Sequence, residues 1–178
     1  MSYNIQNMKT LSQYRTEQIQ LVQPSIWKRV YQLRSGETVL MTMTYPKLFS
    51  TLAVVEGFGK TWEFQKPSIW KSNLEIKKKG NQLPFAKFSV EKWGRGGTFE
   101  LPNGERIEYI FKIWKSVNEL YSQQKNKLIS FKRVSLWKTS INVMIERESE
   151  LIEKNPWIIM VVYYVMLERR QQAHGASM

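Results

Sequence analysis

The feature that most constrains this chain is an uninterrupted apolar run near the end of the sequence. It reads WIIMVVYYVML and occupies Trp157–Leu167. The dipeptide Asn155-Pro156 precedes it, and an N-cap residue followed by a first-turn proline favours the start of a helix. The cations Arg169 and Arg170 follow it, where they complement the negative end of a helix dipole. We therefore predict a helix over about residues 155–172.

A helix with this sequence is apolar on every face, so it must be buried on all sides or lie in lipid. The run has eleven residues, whereas a membrane-spanning helix needs about 20. We therefore predict no transmembrane span. Its β-branched residues leave a buried strand open as an alternative, although eleven residues exceed the usual strand of about five or six. The rest of the chain is then expected to form an apolar sheath around the helix.

Segments that alternate between apolar and polar residues recur before the helix. Val39, Met41, Met43 and Tyr45 share one face of a predicted strand, with threonines on the other face. The stretch 107–113 shows the same period of two, which is typical of half-buried strands. About twelve strands are predicted, over residues 17–23, 26–34, 37–45, 50–56, 60–65, 69–78, 84–93, 97–101, 105–114, 117–124, 127–135 and 139–146.

Glycine-containing segments between these strands predict turns. Asn103-Gly104 is a strong hairpin signal, because a type I′ turn needs positive φ at both central residues. Gly94-Arg95-Gly96-Gly97 is interpreted as a flexible hairpin turn, and the alternative is a loop whose backbone N–H groups bind an anion. Gly59-Lys60-Thr61 matches only the end of a phosphate-binding loop, since Val54 stands where that motif requires glycine. The segment after it is predicted to be a strand rather than a helix start.

These elements predict a mainly β fold, a closed antiparallel barrel of about twelve strands that encloses one C-terminal hydrophobic α-helix. Closure removes the exposed strand edges, and the helix gains apolar surroundings on every side. The chain 1–178 is predicted to be one domain, with barrel strands over about residues 17–146 and short polar tails at both ends.

An apolar-Trp-Lys step occurs four times in the sequence. PSIWK occupies Pro24–Lys28 and again Pro67–Lys71, and related steps end at Lys115 and Lys138. Each step lies near a predicted strand end, so we expect Trp to cover the barrel or plug its rim and Lys to point to solvent. The tryptophans are 43, 44 and 23 residues apart, so a regular period fails and a propeller of equal blades is not predicted. A ligand box of stacked tryptophans and a trace of internal duplication are the alternatives.

This plan resembles the tubby C-terminal-like fold, which tubby proteins, LURP-one-related plant proteins and phospholipid scramblases share. The resemblance covers about residues 15–170 and rests on the order of elements, the Trp-containing strands and the helix that starts at Asn155-Pro156-Trp157. It implies a twelve-stranded barrel threaded by a hydrophobic helix, and the chain is most similar to the short LURP-one type. Tubby members bind phosphoinositide headgroups and some associate with nucleic acid, but no headgroup motif of the family matches here.

The residue types that catalysis and metal binding most often use are scarce. The sequence has no Cys and no Asp, and its one His is His174. A Ser-His-Asp triad and a zinc-thiolate site are therefore excluded, and nothing selects a pair of Glu for glycoside hydrolysis. Scramblase-like proteins carry a calcium-binding acidic segment near the final helix, whereas Glu146, Glu148, Glu150 and Glu153 do not match such a loop. We predict a protein that is not an enzyme and has no metal and no cofactor.

The formal net charge is +12. Residues 1–145 hold 23 Lys/Arg and 10 Glu, whereas residues 146–178 hold four and five. Such a surface favours nucleic acid, acidic lipid headgroups or an acidic protein, although it also serves solubility alone. Basic side chains of this kind also protect exposed strands from pairing with other chains. Two groups are predicted to bind an anionic ligand: Lys77, Lys78 and Lys79, and Lys125, Lys127, Lys132 and Arg133.

The function predicted from these observations is a non-catalytic binding module that recognises anionic, phosphoinositide-like lipid headgroups through basic residues at a barrel rim. The alternatives are a nucleic-acid-associated protein and a structural barrel whose tryptophans contact a protein partner. The absence of a single-strand-binding aromatic motif favours lipid or protein partners. The N-terminal segment lacks the apolar run of a secretory signal, so a cytoplasmic protein is expected, peripheral to a membrane if it binds lipid.

Overall fold

The computed structural model is a closed barrel of twelve antiparallel strands with a long helix inside it. It describes residues 10–25, 27–47, 51–67, 73–91, 95–134 and 140–175. The strands are β1 (Ile19–Val22), β2 (Val30–Ser35), β3 (Thr38–Thr44), β4 (Ala53–Gly57), β5 (Lys60–Gln65), β6 (Leu74–Lys78), β7 (Ala86–Val90), β8 (Gly96–Glu100), β9 (Arg106–Lys112), β10 (Val117–Ser122), β11 (Lys127–Arg133) and β12 (Ile141–Ile145). The helices are α1 (Glu150–Lys154) and α2 (Trp157–Gly175), and 3-10 turns cover Leu11–Tyr14 and Ile113–Lys115.

Each strand pairs with its neighbours in the sequence, and the pairing of β1 with β12 closes the barrel. In that closing pair Ile19 lies opposite Val143 and Leu21 lies opposite Ile141. The predicted closed barrel, its twelve strands and its C-terminal helix are therefore confirmed. Closure pairs the strands on both sides, so the sheet has no free edge.

Because every strand runs antiparallel to the previous one, the connections alternate between two ends of the barrel. We call one end the tryptophan pole. It carries the connections β1–β2, β3–β4, β5–β6, β7–β8, β9–β10 and β11–β12, with Trp27 in the first and Trp114 in the fifth. The opposite pole carries the other connections, α1 and the start of α2. At this pole the backbone N–H groups of Leu11 and Ser12 donate to the Glu153 carboxylate at 2.9 and 2.6 Å.

Helix α2 runs through the barrel from the opposite pole to the tryptophan pole. At its start, Trp157 packs edge-on against Phe85 with ring centroids 5.6 Å apart. Further along, the Tyr164 hydroxyl donates to the Thr51 carbonyl at 2.9 Å, in the β3–β4 connection. All nine residues from Trp157 to Val165 are at most 7% exposed, as a helix apolar on every face requires. No helix in the described part of the chain is long and apolar enough to cross a bilayer.

The inward faces of the strands supply the apolar sheath that the helix needs. Every strand contributes buried apolar side chains to the same core as α2, among them Leu21, Leu33, Met43, Val55, Phe64, Ile76, Phe88, Phe99, Ile107, Leu120, Phe131 and Val143. Ahead of the helix, the Asn155 side-chain amide donates to the Leu151 carbonyl at 2.9 Å, and its backbone carbonyl accepts from the N–H of Ile158 at 3.1 Å. Asn155 therefore links the end of α1 to the first turn of α2.

The predicted face of β3 is wrong at Val39. Met41 and Met43 are buried, but Val39 is 41% exposed and Leu40 is buried instead. The cause is a bulge in the β2–β3 pair, where Leu33 lies opposite Met41 and the next residue, Arg34, lies opposite Val39. An extra residue in one strand inverts the alternation beyond it.

Two predicted strand boundaries that included tryptophans are also wrong. Strand β2 starts at Val30 rather than at residue 26, so Trp27 precedes it, and β9 ends at Lys112, before Trp114. The N–H of Trp27 donates to the Ser25 hydroxyl at 3.3 Å, which holds a local turn in place of strand pairing. Strand β6 starts at Leu74, and the part of that prediction that falls on residues 69–72 lies outside the described part of the chain.

Two glycine predictions need correction. Of Asn103-Gly104 only Gly104 has positive φ, at 74°, and its N–H donates to the Leu101 carbonyl at 3.0 Å. The hairpin is present, but its turn is of type I with proline second and glycine fourth, rather than I′. Gly96 and Gly97 are residues of β8 rather than of a turn. A Cβ on Gly97 would stand 2.5 Å from Cζ of Phe88, so the ring leaves room for hydrogen alone.

Candidate functional site

The seven basic residues predicted to bind an anion lie in three places. Lys77 and Lys78 end strand β6 at the opposite pole and Lys79 follows them, whereas Lys125 lies in the β10–β11 turn at the same pole and Lys127 starts β11. Lys132 and Arg133 stand at the other end of β11, at the tryptophan pole. A strand of seven residues is about 20 Å long, so the structure separates the second predicted cluster into two.

Three of these seven residues already have carboxylate partners. Lys125 pairs with Glu108, Nζ of Lys127 lies 2.9 Å from Oε1 of Glu146, and Nζ of Lys77 lies 3.8 Å from Glu75. Among the described residues, no carboxylate lies within 4.0 Å of the cationic groups of the other four, which are Lys78, Lys79, Lys132 and Arg133. A partner carboxylate offsets the attraction of a lysine for an anionic ligand, so these four are the better candidates.

Lys78 and Lys79 border a cavity of about 570 Å³ at the opposite pole, and Lys60 and Lys154 also line it. Trp62, Phe85, Pro102 and Trp157 supply the apolar part of its wall, and Thr61 and Asn155 also line it. Nζ of Lys154 is 2.6 Å from Glu150. Sequence reasoning missed Lys60 because the register of the β5–β6 pair sets it beside the end of β6, and it missed Lys154 because only the tertiary structure brings α1 to the same place.

Lys127 belongs to a charge network on the outer wall, with Glu119 near its centre. Nζ of Lys112 is 2.5 Å and the Tyr121 hydroxyl 2.7 Å from Oε2 of Glu119, and Nζ of Lys127 bridges Glu119 to Glu146. Burial acts to raise the pKa of Glu119. The hydrogen bonds from Lys112 and Tyr121 and the charges of Lys112 and Lys127 outweigh burial, so the pKa of Glu119 is lowered. The hydrogen bond from Lys127 likewise lowers the pKa of Glu146. This network ties β9, β10, β11 and β12 together and leaves Lys127 little freedom to bind a ligand.

The two tryptophans described at the tryptophan pole project into solvent. Trp27 is 90% exposed and Trp114 is fully exposed, whereas Trp62 and Trp157 are 3% and 1% exposed inside the barrel. The prediction that the Trp of each Trp-Lys step covers the barrel or plugs its rim is wrong for these two residues. Trp70 and Trp137, from the other two steps, lie outside the described residues.

Barrel topology explains the spacing of the repeats. Each return to the same pole takes two strands and two connections, so the segments that connect strands at the tryptophan pole recur at a regular spacing in the sequence. Each of these six segments contains one member of a regularly spaced series of large aromatics, and the segment 45–52 contains Tyr45 in addition. Successive aromatics are 21 to 23 residues apart, at Trp27, Phe49, Trp70, Trp93, Trp114 and Trp137. The 23 residues between Trp114 and Trp137 therefore fit a period of about 22 residues, and the 43 residues between Trp27 and Trp70 correspond to two such periods. The expectation that no regular period holds is corrected.

Charge is also divided unequally between the poles. The described connections of the tryptophan pole hold six Lys/Arg and one acidic residue, Glu91, and the cations are Lys28, Arg29, Lys47, Lys66, Arg95 and Lys115. The connections of the opposite pole, together with α1, hold four Lys/Arg and six Glu. The positive excess in the connections therefore lies at the pole that exposes Trp27 and Trp114.

The end of α2 adds fixed positive charge to the tryptophan pole. Nη1 of Arg169 donates to the Tyr109 hydroxyl at 2.8 Å, and that hydroxyl donates to Oδ1 of Asn118 at 2.6 Å. The guanidinium also lies 5.2 Å from the ring centroids of Tyr109 and Phe111. Burial raises the pKa of Tyr109 to about 12, against the lowering effect of Arg169, so this hydroxyl keeps its proton at neutral pH.

Within the described residues, no three His, Cys, Asp or Glu side chains come together as a group that could hold a metal ion. The site described above is therefore one of exposed aromatic rings, cations and cavities. A comparison with known proteins finds no family model, no curated protein and no solved structure that matches the chain, so the resemblance to tubby-like proteins stays a prediction.

Proposed function

We propose that this protein is a non-catalytic binding module that docks its tryptophan pole on an anionic lipid surface. One observation carries the proposal: the pole that exposes Trp27 and Trp114 is also the pole whose connections, in their described residues, hold six Lys/Arg and one Glu. Exposed tryptophan without cations would suit a protein partner, and cations without tryptophan would suit any polyanion.

The chemistry of a membrane surface matches this combination. Tryptophan concentrates at the boundary between lipid headgroups and acyl chains, because its ring is apolar and its indole N–H is polar. Each Lys or Arg near an anionic leaflet adds about 1 kcal/mol of attraction. Lys28 and Lys115 follow the two exposed rings directly in the chain, so rings and charges would reach the same surface together.

The proposal keeps the ligand class predicted from the sequence but changes the residues. Lys28 and Lys115 replace Lys77–Lys79 as the principal cations, because the latter lie at the opposite pole. The anionic headgroup is also what the tubby-like resemblance implies, but the proposal rests on the exposure and charge of this chain and not on that resemblance.

Flotation with lipid vesicles tests the proposal. The wild-type chain is mixed with vesicles of phosphatidylcholine alone, or of equal parts phosphatidylcholine and phosphatidylserine, at low and at near-physiological salt. We expect binding to the anionic vesicles that weakens as salt rises, because exposed charges are screened. Trp27→Ala with Trp114→Ala, and separately Lys28→Glu with Lys115→Glu, should each lower the apparent affinity by about tenfold or more.

The matched control reverses the same number of charges at the other pole. Lys78→Glu with Lys79→Glu changes the net charge as much as the Lys28/Lys115 variant does, so a generic attraction would weaken equally in both. Loss of binding only in the Lys78/Lys79 variant would overturn docking through the tryptophan pole and favour the lysine-lined cavity. Failure to bind any vesicle, together with tight binding to single-stranded RNA, would favour the nucleic-acid alternative.

A further inference from the structure

A second cavity lies at the tryptophan pole, between the end of α2 and strands β9 to β12. Its volume is about 350 Å³, near the lower end of the range for small-molecule sites of about 300–1,000 Å³. Apolar side chains make one part of its lining: Phe111, Ile141, Met166 and Leu167. Polar side chains make the other part: Tyr163, Ser116, Asn118, Arg133, Arg169 and Arg170. The cavity is therefore amphipathic.

The Tyr163 hydroxyl is the buried polar group in this lining that lacks a partner. Tyr163 is 1% exposed, and its hydroxyl makes no hydrogen bond within the described structure. Burial raises the pKa of Tyr163 above its usual range, so the hydroxyl stays protonated and can donate. Buried hydroxyl groups in folded proteins normally have a hydrogen-bond partner, and one without a partner indicates that something else supplies it.

Three arginines give the cavity its charge. Arg169 is held by its hydrogen bond to Tyr109 and by the neighbouring rings. The guanidinium groups of Arg133 and Arg170 are exposed, and no carboxylate of the described residues lies within 4.0 Å of them. The acidic residue next to them on α2, Glu168, pairs instead with Lys66. Guanidinium groups favour carboxylate and phosphate oxygens, which they can bind with two parallel hydrogen bonds.

We infer that this cavity binds a single-chain amphiphile with an anionic head, either a fatty acid or an alkyl phosphate. The chain would lie against Phe111, Met166 and Leu167, and the head would meet Arg133 and Arg170. The small volume suits one acyl chain rather than the two of a phospholipid. An acceptor oxygen of the head or a water that it orders would meet the Tyr163 hydroxyl. This inference does not depend on membrane docking, because such a ligand can enter from water.

Calorimetric titration without vesicles tests this site. The probes are dodecanoate and dodecyl phosphate below their critical micelle concentrations, with dodecanol and inorganic phosphate as comparison ligands. We expect both anionic amphiphiles to bind with one ligand per chain. Dodecanol should bind at least about tenfold more weakly, because it cannot form charged hydrogen bonds with the arginines. Inorganic phosphate should show no measurable binding, because it lacks the chain.

Arg133→Gln with Arg170→Gln should lower the affinity for both anionic amphiphiles by about tenfold or more. Lys132→Gln is the matched control, since Lys132 neighbours Arg133 on β11 but does not line the cavity, and it should bind as the wild type does. Tyr163→Phe should leave the melting temperature unchanged or higher, because the hydroxyl has no partner to lose, and should weaken binding several-fold.

Several results would overturn the inference. The inference fails if neither anionic amphiphile binds, or if dodecanol binds as tightly as dodecanoate. It also fails if the Arg133/Arg170 variant binds the anionic amphiphiles as tightly as the wild type does. Preference for dodecanoate or for dodecyl phosphate would distinguish a carboxylate from a phosphate head. The Trp27/Trp114 variant distinguishes this site from membrane docking, because it should no longer bind vesicles but should still bind dodecanoate. If the wild type binds no vesicles but binds dodecanoate, docking fails and this inference stands.

Discussion

At the opposite pole the β2–β3 and β4–β5 connections are two residues long, whereas at the tryptophan pole no connection is shorter than four. The same twelve strands make both ends, yet one end exposes two tryptophans beside a positive excess and the other has more Glu than Lys and Arg. Two-residue turns must meet strict backbone geometry. Longer connections are freer to present side chains, which agrees with the proposal that the tryptophan pole is the end that docks.

The largest effect is expected where a charge enters the helix that joins the two poles. Val162→Asp places a carboxylate at a position that is 1% exposed among apolar side chains, so the chain should fail to fold. Near-ultraviolet circular dichroism should show no fixed tertiary structure. Gln171→Asp, on the exposed end of α2, is the control and should fold normally. A soluble, β-rich Val162→Asp protein with unchanged melting would contradict the enclosed helix.

The next effect compares the same substitution at a buried and at an exposed tryptophan. Trp62→Ala should lower the free energy of unfolding by about 3–5 kcal/mol, because it leaves a cavity in the core. Trp114→Ala should change it by less than about 0.5 kcal/mol, because the ring is fully exposed. Urea unfolding of both variants measures the difference. Equal destabilisation would mean that Trp114 packs against the barrel rather than serving a partner.

Glycines at the two poles provide a third comparison. Gly97→Ala, near the tryptophan pole, should cost about 1–3 kcal/mol because the new Cβ overlaps Phe88. Gly104→Ala, in the turn of the opposite pole, has open space around it and should cost about 1 kcal/mol through its positive φ alone. Unfolding free energies of the two variants test the order.

Further substitutions distinguish overlap with Phe88, the cause at Gly97, from positive φ, the cause at Gly104. Phe88→Leu should recover part of the stability lost in Gly97→Ala, whereas it should do nothing for Gly104→Ala. Gly104→Asn should be tolerated better than Gly104→Ala, because Asn adopts positive φ more readily. Rescue of Gly104→Ala by Phe88→Leu would show that the two glycines do not differ in the way proposed.

The smallest effect concerns the charge network on the wall between the poles. The pKa of Glu119 and that of Glu146 are lowered in the folded chain, so their stabilisation is present above the unfolded pKa of about 4.3 and is lost as pH falls through the folded values. Glu119→Gln should therefore flatten the fall in melting temperature between about pH 5 and pH 3. Glu37→Gln, in an exposed turn, is the control. If the melting temperature of Glu119→Gln fell with pH as steeply as that of the wild type, the stabilising role of the Glu119 carboxylate would be contradicted.

Local sequence pattern predicted the strands and the helix well because most of them satisfy short-range rules. Period-two alternation together with the turn signals between segments located all twelve strands, and the run Trp157–Leu167 located α2. The errors arose where a neighbouring strand decided the outcome. The bulge opposite Leu33 reversed the face on which Val39 lies, and pairing with Val90 and Tyr109 made Gly97 a strand residue. None of these partners is visible in the local pattern.

Candidate sites were harder to predict because their members are far apart in the chain. The run Lys77–Lys79 was found as a local cluster, but Lys60 joins two of its members only through the pairing of β5 with β6, and Lys154 only through the position of α1 at that pole. The cavity lined by Arg133, Tyr163 and Arg170 combines a strand end with a helix end in the same way. The spacing of about 22 residues between aromatics was present in the sequence and could have been found by including Phe49 and Trp93.

The sequence by itself determined the class of fold. Alternating segments must pair as strands, and a helix apolar on every face must be enclosed, so a closed barrel around a helix follows from burial alone. Only the tertiary structure decided which end of the barrel each connection reaches, and therefore that the exposed tryptophans and the positive excess of the connections share one pole. The physical reason is that strand direction alternates, which brings together every second connection however far apart the residues are in the chain.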